Sequence, residues 1–157
     1  MSKVTPFLWF DDQAEAAANL YVSLIKNSSL GEVSRYGPGG PGPEGQVMTL
    51  SFTLDGVKFT ALNGGPVFKF TEAFSMQVDC EDQAEVDRLW DALIEGGGEP
   101  SQCGWLKDRF GLSWQIVPKA LPRLLSQPDR AKAGRVMQAM LQMKKLDIAK
   151  LKQAYAG

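Results

Sequence analysis

The chain has 157 residues, 44% of them hydrophobic and 22% charged, which fits a folded domain and excludes a disordered or fibrous polymer. It contains no histidine, which removes a Ser–His–Asp or Cys–His nucleophile, a histidine general base and every histidine-ligated zinc or iron centre. With 17 basic and 18 acidic residues, the chain as a whole has no charge bias toward nucleic acid or membrane.

Apolar alternation predicts a first strand over Val4–Phe10. Asp11-Asp12-Gln13-Ala14-Glu15 then reads as a capping box, an Asp N-cap with a Glu three positions on. It opens an amphipathic helix whose buried stripe is Ala17, Leu20, Tyr21, Leu24 and Ile25. Strand-like runs follow at Val33–Tyr36, Val47–Leu54 and Val57–Leu62, the last two joined by a tight Asp55-Gly56 turn.

The same order restarts with a strand over Phe74–Cys80. Glu81-Asp82-Gln83-Ala84-Glu85 repeats the cap at an offset of 70, and the helix it opens buries Val86, Leu89, Trp90, Leu93 and Ile94. The helical stripes align at an offset of 69, so one residue has slipped between the copies. Ser101–Lys107 and Leu112–Val117 complete the second set, with Phe110-Gly111 at the turn. The chain therefore encodes β-α-β-β-β twice, in one domain spanning 1–157: a first module over about 1–66, a second over about 73–118, and a helical tail over about 119–157. The fold class is α+β, with the duplicated modules forming a cupped mixed sheet and the helices outside.

Charge separates the tail from the rest. Met1–Pro118 carries 8 basic and 16 acidic residues, whereas Lys119–Gly157 carries 9 basic and 2 acidic. Val136, Met137, Met140, Leu141 and Lys144 share one predicted helix face, and Asp147 caps a second helix with Ile148, Leu151 and Tyr155 on one side. A basic amphipathic tail beside an acidic body is expected to dock on that body, in the same chain or a partner, rather than on nucleic acid. Two cysteines, no apolar leader and no long apolar segment predict a cytoplasmic protein without disulfides or membrane contact.

Alternation divides the strand residues between two faces. Leu8, Phe10, Met76, Val78, Cys80, Leu112, Trp114 and Ile116 suit the face under the helices. Thr5, Phe7, Trp9, Ser75, Gln77, Asp79, Ser113, Gln115 and Val117 form a face of aromatic surface and mostly uncharged polar groups, which suits a small-molecule pocket. Phe7, Trp9 and Trp105 are candidate aromatic walls, and Asn63, Gln77 and Gln115 candidate hydrogen-bond anchors. Asp79 is the candidate general base on that face. Cys103 is a candidate nucleophile if Lys107 or Arg109 lowers its pKa, although a packed strand-end thiol is the simpler expectation.

Several segments resemble the PhnB-like branch of the vicinal oxygen chelate superfamily, which includes glyoxalase I, extradiol dioxygenases and bleomycin-resistance proteins. They are Thr5-Pro6-Phe7-Leu8-Trp9-Phe10, Leu62-Asn63-Gly64-Gly65-Pro66, Phe74-Ser75-Met76-Gln77-Val78, Asp87-Arg88-Leu89-Trp90, the long block Cys103 to Pro118, and the tail segment Met140 to Ala149. The resemblance implies a homodimer. It also implies that the four positions holding a divalent ion in metal-using members fall here on Thr5, Thr60, Ser75 and Gln115. Neutral hydroxyls are poor ligands for zinc, iron or nickel, so no metal cofactor is expected.

Sequences of this branch are often labelled demethylubiquinone methyltransferases. Gly37-Pro38-Gly39-Gly40-Pro41-Gly42 does satisfy G-x-G-x-x-G, but its prolines forbid an opening helix and Val47 onward reads as strand, so a loop between strands is expected. The function expected is metal-free binding of a small, largely uncharged aromatic or amphipathic molecule, with Phe7, Trp9, Thr60, Asn63, Ser75, Gln77, Trp105 and Gln115 as its contacts. The alternative is a glyoxalase- or dioxygenase-type enzyme using a divalent metal on other ligands.

Overall fold

The computed structural model describes residues 2–157. The chain divides into two compact units, one ending at Phe70 and the other spanning Thr71–Gly157.

In the first unit β1 (Phe7–Phe10) leads to α1 (Ala14–Leu24), then to β2 (Ser29–Arg35), β3 (Val47–Leu54) and β4 (Val57–Asn63). The sheet order is β1-β4-β3-β2, with β1 parallel to β4 and the other pairs antiparallel. The β3–β4 hairpin turns on Asp55 (φ 46°) and Gly56 (φ 84°), the two consecutive left-handed residues that a two-residue hairpin loop requires. α1 buries Ala14, Ala17, Ala18 and Tyr21. Its small side chains let the backbone lie close to the sheet, where Tyr21 meets Phe52 at 6.3 Å and Phe52 stacks on Phe59 at 5.4 Å.

The second unit repeats the plan with β5 (Ser75–Cys80), α2 (Gln83–Ile94), β6 (Glu99–Pro100), β7 (Trp105–Lys107) and β8 (Ser113–Pro118). Its order, β5-β8-β7-β6, again places first and last strands parallel. Here the helix stripe is large: Val86, Leu89, Trp90 and Leu93 are buried, as are Leu106, Trp114 and Ile116 in the sheet. Each such residue contributes roughly 1.5–3 kcal/mol on leaving water. The duplicated β-α-β-β-β plan is therefore present as expected.

Several local expectations change. β1 begins at Phe7 rather than Val4, and β2 runs over Ser29–Arg35 rather than Val33–Tyr36. The expected strand Ser101–Lys107 is broken: only Glu99–Pro100 and Trp105–Lys107 pair, because Cys103 (φ 58°) and Gly104 (φ 87°) turn the backbone out of extended geometry. Of the two expected Asp caps only the second forms, with the Glu85 carboxylate accepting from the Glu81 N–H beside it. Asp82 caps α2 by accepting from the Glu85 N–H, whereas α1 starts after Gln13, whose side chain makes no cap. The helix starts correspond at an offset of 69, so Asp12 falls one residue short. Asn63 Oδ1 takes over, accepting from the Ala14 N–H at 2.8 Å.

The tail folds as α3 (Ala120–Leu125), α4 (Arg130–Leu141) and α5 (Ile148–Ala156). Leu121, Val136, Leu146 and Leu151 form its core, with Met140, Met143 and Tyr155 packed around them. Met137 and Leu141, expected on the buried face, are 39% and 47% exposed; α4 turns Ala133 and Val136 inward instead. Asp147 caps α5 as expected, accepting from the Lys150 N–H. The tail docks on its own unit. Met143 and Lys144 carbonyls accept from the Cys103 and Gly104 N–H groups, each at 2.8 Å. Gln83 of α2 donates to the Leu146 carbonyl and accepts from the Ile148 N–H, while Lys145 pairs with Asp87 at 2.9 Å. Among the described residues no helix is long and apolar enough to cross a membrane.

Candidate functional site

Strand register in the second unit brings the candidate residues into two rows on the sheet face away from α2. Ser75, Ser113, Lys107 and Glu99 lie abreast in one, and Gln77, Gln115 and Trp105 in the other. Gln115 Nε2 donates to Ser75 Oγ at 2.9 Å, and Gln77 Nε2 donates to Asp79 Oδ1 at 2.9 Å. Gln77 and Asp79 are exposed, whereas Ser75, Trp105 and Gln115 are half-buried.

A cleft of about 230 Å³ opens at the Ser113 end of this face, lined by Glu72, Glu99, Pro100, Ser101, Trp105, Leu106, Lys107 and Ser113. Lys107 Nζ meets Glu72 Oε1 at 2.6 Å. The pairing holds the Glu72 carboxyl below its ordinary pKa and the Lys107 ammonium above its own. Ser113 is 1% exposed, and its hydroxyl has no hydrogen-bond partner among the described residues. Ser113 stood on the expected pocket face, but Glu72 and Glu99 were missed. Glu72 precedes β5 in a loop and Glu99 sits in a two-residue edge strand, so neither carries an alternation signal.

The first unit presents a comparable face whose groups are largely committed to structure. Phe7 is 62% exposed, and Thr60 is its register partner on β4. The Thr60 N–H donates to the Pro6 carbonyl, placing Thr60 beside the Thr5–Phe7 stretch. Trp9 donates its indole N–H to the Gly65 carbonyl at 2.9 Å and meets Phe68 edge-on at 4.9 Å. A Cβ at Gly64 would lie 2.5 Å from that indole, so the glycine is what lets the loop close over Trp9. Asn63 caps α1, donates to the Val47 carbonyl at 3.1 Å, and offers its backbone carbonyl to the Tyr36 hydroxyl.

Neither cysteine is set up as a nucleophile. Burial, with nearby carboxylates adding to it, pushes the Cys80 thiol up to about 12. Cys103 is half-buried in the turn before β7, and the two cations expected to activate it are engaged elsewhere: Lys107 with Glu72, and Arg109 with the Ala92 carbonyl and the Phe110 ring. One buried carboxylate escaped the sequence. Asp108, 2% exposed, accepts from the Phe110 and Leu112 N–H groups and from the Trp114 indole, fixing the β7–β8 loop from inside.

The positions implied for a divalent ion do not fit one. Thr5, Thr60, Ser75 and Gln115 offer three hydroxyls and an amide, and the Gln115 amide is directed as a donor onto Ser75. Nor do three metal-ligating His, Cys, Asp or Glu side chains converge among the described residues. The glycine-rich run Gly37–Gly42 lies between β2 and β3, two antiparallel strands, so it opens no helix onto which a cofactor could be seated.

The family model for 3-demethylubiquinone-9 3-methyltransferase matches residues 2–117 and stops short of the tail helices. A PhnB protein from Bacillus cereus is 36% identical, with 74% of this chain and 99% of that one covered at a TM-score of 0.68. A Pseudomonas aeruginosa protein is 21% identical over 75% and 98% of the two chains, TM-score 0.61. The fosfomycin resistance protein FosX from Listeria monocytogenes, complexed with Mn(II) and sulfate, is 15% identical over 73% and 89%, TM-score 0.50. No curated protein matches the chain.

Proposed function

The chain belongs to the PhnB-like family described as 3-demethylubiquinone-9 3-methyltransferase, within the vicinal oxygen chelate superfamily, and from that premise we propose that it is a metal-free binding module for a small aromatic or amphipathic molecule. The observation that carries this is the neutral Ser75–Gln115 pair with Trp105 opposite Gln115, all half-buried beside the cleft of the second unit. An indole flanked by amide and hydroxyl groups binds apolar surface and fixes its orientation by hydrogen bonds. It supplies no strong Lewis acid and no placed general base. Methyl transfer is not part of the proposal, because the glycine-rich run joins two strands.

In the first unit the committed Trp9 and Asn63 serve that unit's own architecture. The tail's charges are also largely used internally. Lys145 and Lys119 pair with Asp87 and Glu81, Arg135 donates to the last carbonyls of α5, and Lys132 lies 5.3 Å from the Tyr155 ring centre. That favours intrachain docking over nucleic acid. Free thiols at Cys80 and Cys103 suit a reducing compartment such as the cytoplasm, and family resemblance favours a homodimer.

Native mass spectrometry on protein purified without chelator tests the proposal. The expected result is a dimer carrying an organic adduct and no divalent ion, with the adduct's affinity falling roughly tenfold or more in Trp105→Ala and in Gln115→Ala. One divalent ion per subunit, together with turnover of glutathione adducts or catechols, would overturn it in favour of a glyoxalase- or dioxygenase-type enzyme.

A further inference from the structure

We propose that the cleft of the second unit selects a small organic cation, an alkyl- or arylammonium that lies on Trp105 with its charge toward Glu99 and a hydrogen bond to Ser113. This narrows the binding proposal above and rests on it. It also replaces the largely uncharged ligand expected from the sequence.

The charge argument starts from the lining, which has two carboxylates, Glu72 and Glu99, and one ammonium, Lys107. Lys107 is engaged by Glu72 at 2.6 Å. Glu99, the register partner of Lys107 on β6, is in no ion pair among the described residues and acts on that ammonium only through space, so the cleft lining as a whole keeps a net negative charge. An incoming anion would have to displace Glu72 from Lys107 while facing Glu99. A cation meets neither obstacle, and Trp105 offers the aromatic face that attracts ammonium groups.

Ser113 is an independent pointer. Ser113 is a lining residue of the cleft, and its hydroxyl is withdrawn from solvent with no hydrogen-bond partner among the described residues, while the neighbouring Ser75 hydroxyl already accepts from Gln115. A buried hydroxyl left in this state carries the desolvation cost of an unmade hydrogen bond, which a ligand N–H would relieve. Ser113 sits abreast of Lys107 across β7–β8, which puts it at the same end of the cleft as the exposed Lys107–Glu72 pair. The volume of about 230 Å³ admits one small ring with a short arm.

Isothermal titration of the full chain at low ionic strength, with phenethylammonium, 2-phenylethanol and 3-phenylpropionate as a near-isosteric set, decides the matter. The cation is expected to bind roughly tenfold tighter than the alcohol and the carboxylate weakest, an advantage that shrinks as salt is raised. Glu99→Gln, at an exposed edge, should cost the cation more affinity than the alcohol, and Ser113→Ala should weaken both. Alcohol binding as tight as the cation's, or tighter carboxylate binding, would overturn the cation assignment and leave the small-molecule reading standing. If none of the three binds and native mass spectrometry finds no organic adduct, both fall. Absence of binding by all three with an adduct present overturns this inference alone.

Discussion

The two units share strand order and helix position, yet their last hairpins differ, with two residues between Leu54 and Val57 against five between Lys107 and Ser113, and each is held by a different polar side chain. In the first, Asn63 at the end of β4 ties the start of α1 to β3, and its carbonyl receives Tyr36. In the second, Asp82 caps the helix locally, and the long-range work passes to Asp108, which holds the β7–β8 loop and the Trp114 indole. Duplication therefore preserved the backbone plan and not the side chains that secure it. The consequence for function is asymmetric. The first unit commits its aromatic and amide groups, Trp9 and Asn63, to closing its own loops, while the second leaves the Ser113 hydroxyl without a partner among the described residues and Trp105 beside a cleft.

The sharpest way to break this comparison is to remove the second unit's hub. Asp108→Ala strands two backbone N–H groups and an indole N–H in a buried place. Hydrogen bonds to a charged group are worth about 1.5–3 kcal/mol each and are not additive, so a loss on the order of 3–4 kcal/mol is expected by denaturant titration. Asp108→Asn keeps an acceptor and should cost about half as much. A change under roughly 1 kcal/mol in Asp108→Ala would show that Asp108 is not the hub.

The helix caps come next in size. Asn63→Ala removes the cap of α1 and a tie to β3 together, and is expected to cost about 2 kcal/mol; Asp82→Ala removes a local cap and should cost about 1 kcal/mol. The order is the test: equal losses would mean that Asn63 acts as a cap alone. Thermal unfolding of both variants, compared at the same pH, measures it.

Much of this was legible in the sequence, and the failures have physical causes. Period-two and helical spacing located both modules, the Asp55-Gly56 hairpin, the buried Trp90 and Trp114, and the Asp147 cap. The first cap was misread because the repeated Asp-Gln-Ala-Glu words align at 70 while the helices align at 69. Its true partner, Asn63, lies 49 residues from Ala14, and no local pattern encodes a contact of that span. The break at Cys103 depends on a left-handed backbone at a residue that rarely adopts it. Met137 and Leu141 have helical spacing, but the face of α4 that packs was chosen by Leu121, Leu146 and Leu151 arriving from elsewhere in the chain. For the candidate site, alternation placed Ser75, Ser113 and Gln115 on one face of the second unit, where strand register keeps them; the charges that shape the cleft come from a loop and an edge strand and left no periodic trace.

The smallest predicted effect concerns the tail, which the first unit has no counterpart for. Asp87 accepts from Gln83 at 3.0 Å and pairs with Lys145, and both contacts hold its carboxyl below the ordinary aspartate pKa. A carboxyl lowered by folding contributes stability that is present above its unfolded pKa and is lost as pH falls through the lowered value. The seam between α2 and the α4–α5 segment should therefore loosen in acid before the first unit does. Because the pair is largely exposed, the change is limited to a few tenths of a kcal/mol. Amide hydrogen exchange at Cys103 and Gly104, whose N–H groups donate to Met143 and Lys144, reads that seam directly. Protection there, taken after the intrinsic amide exchange rate at each pH is divided out, should fall in the wild type as pH drops below the ordinary aspartate range. In Asp87→Asn that protection should already be lower at neutral pH and should not fall further in acid; an acid response surviving intact in the variant would assign it to another carboxyl.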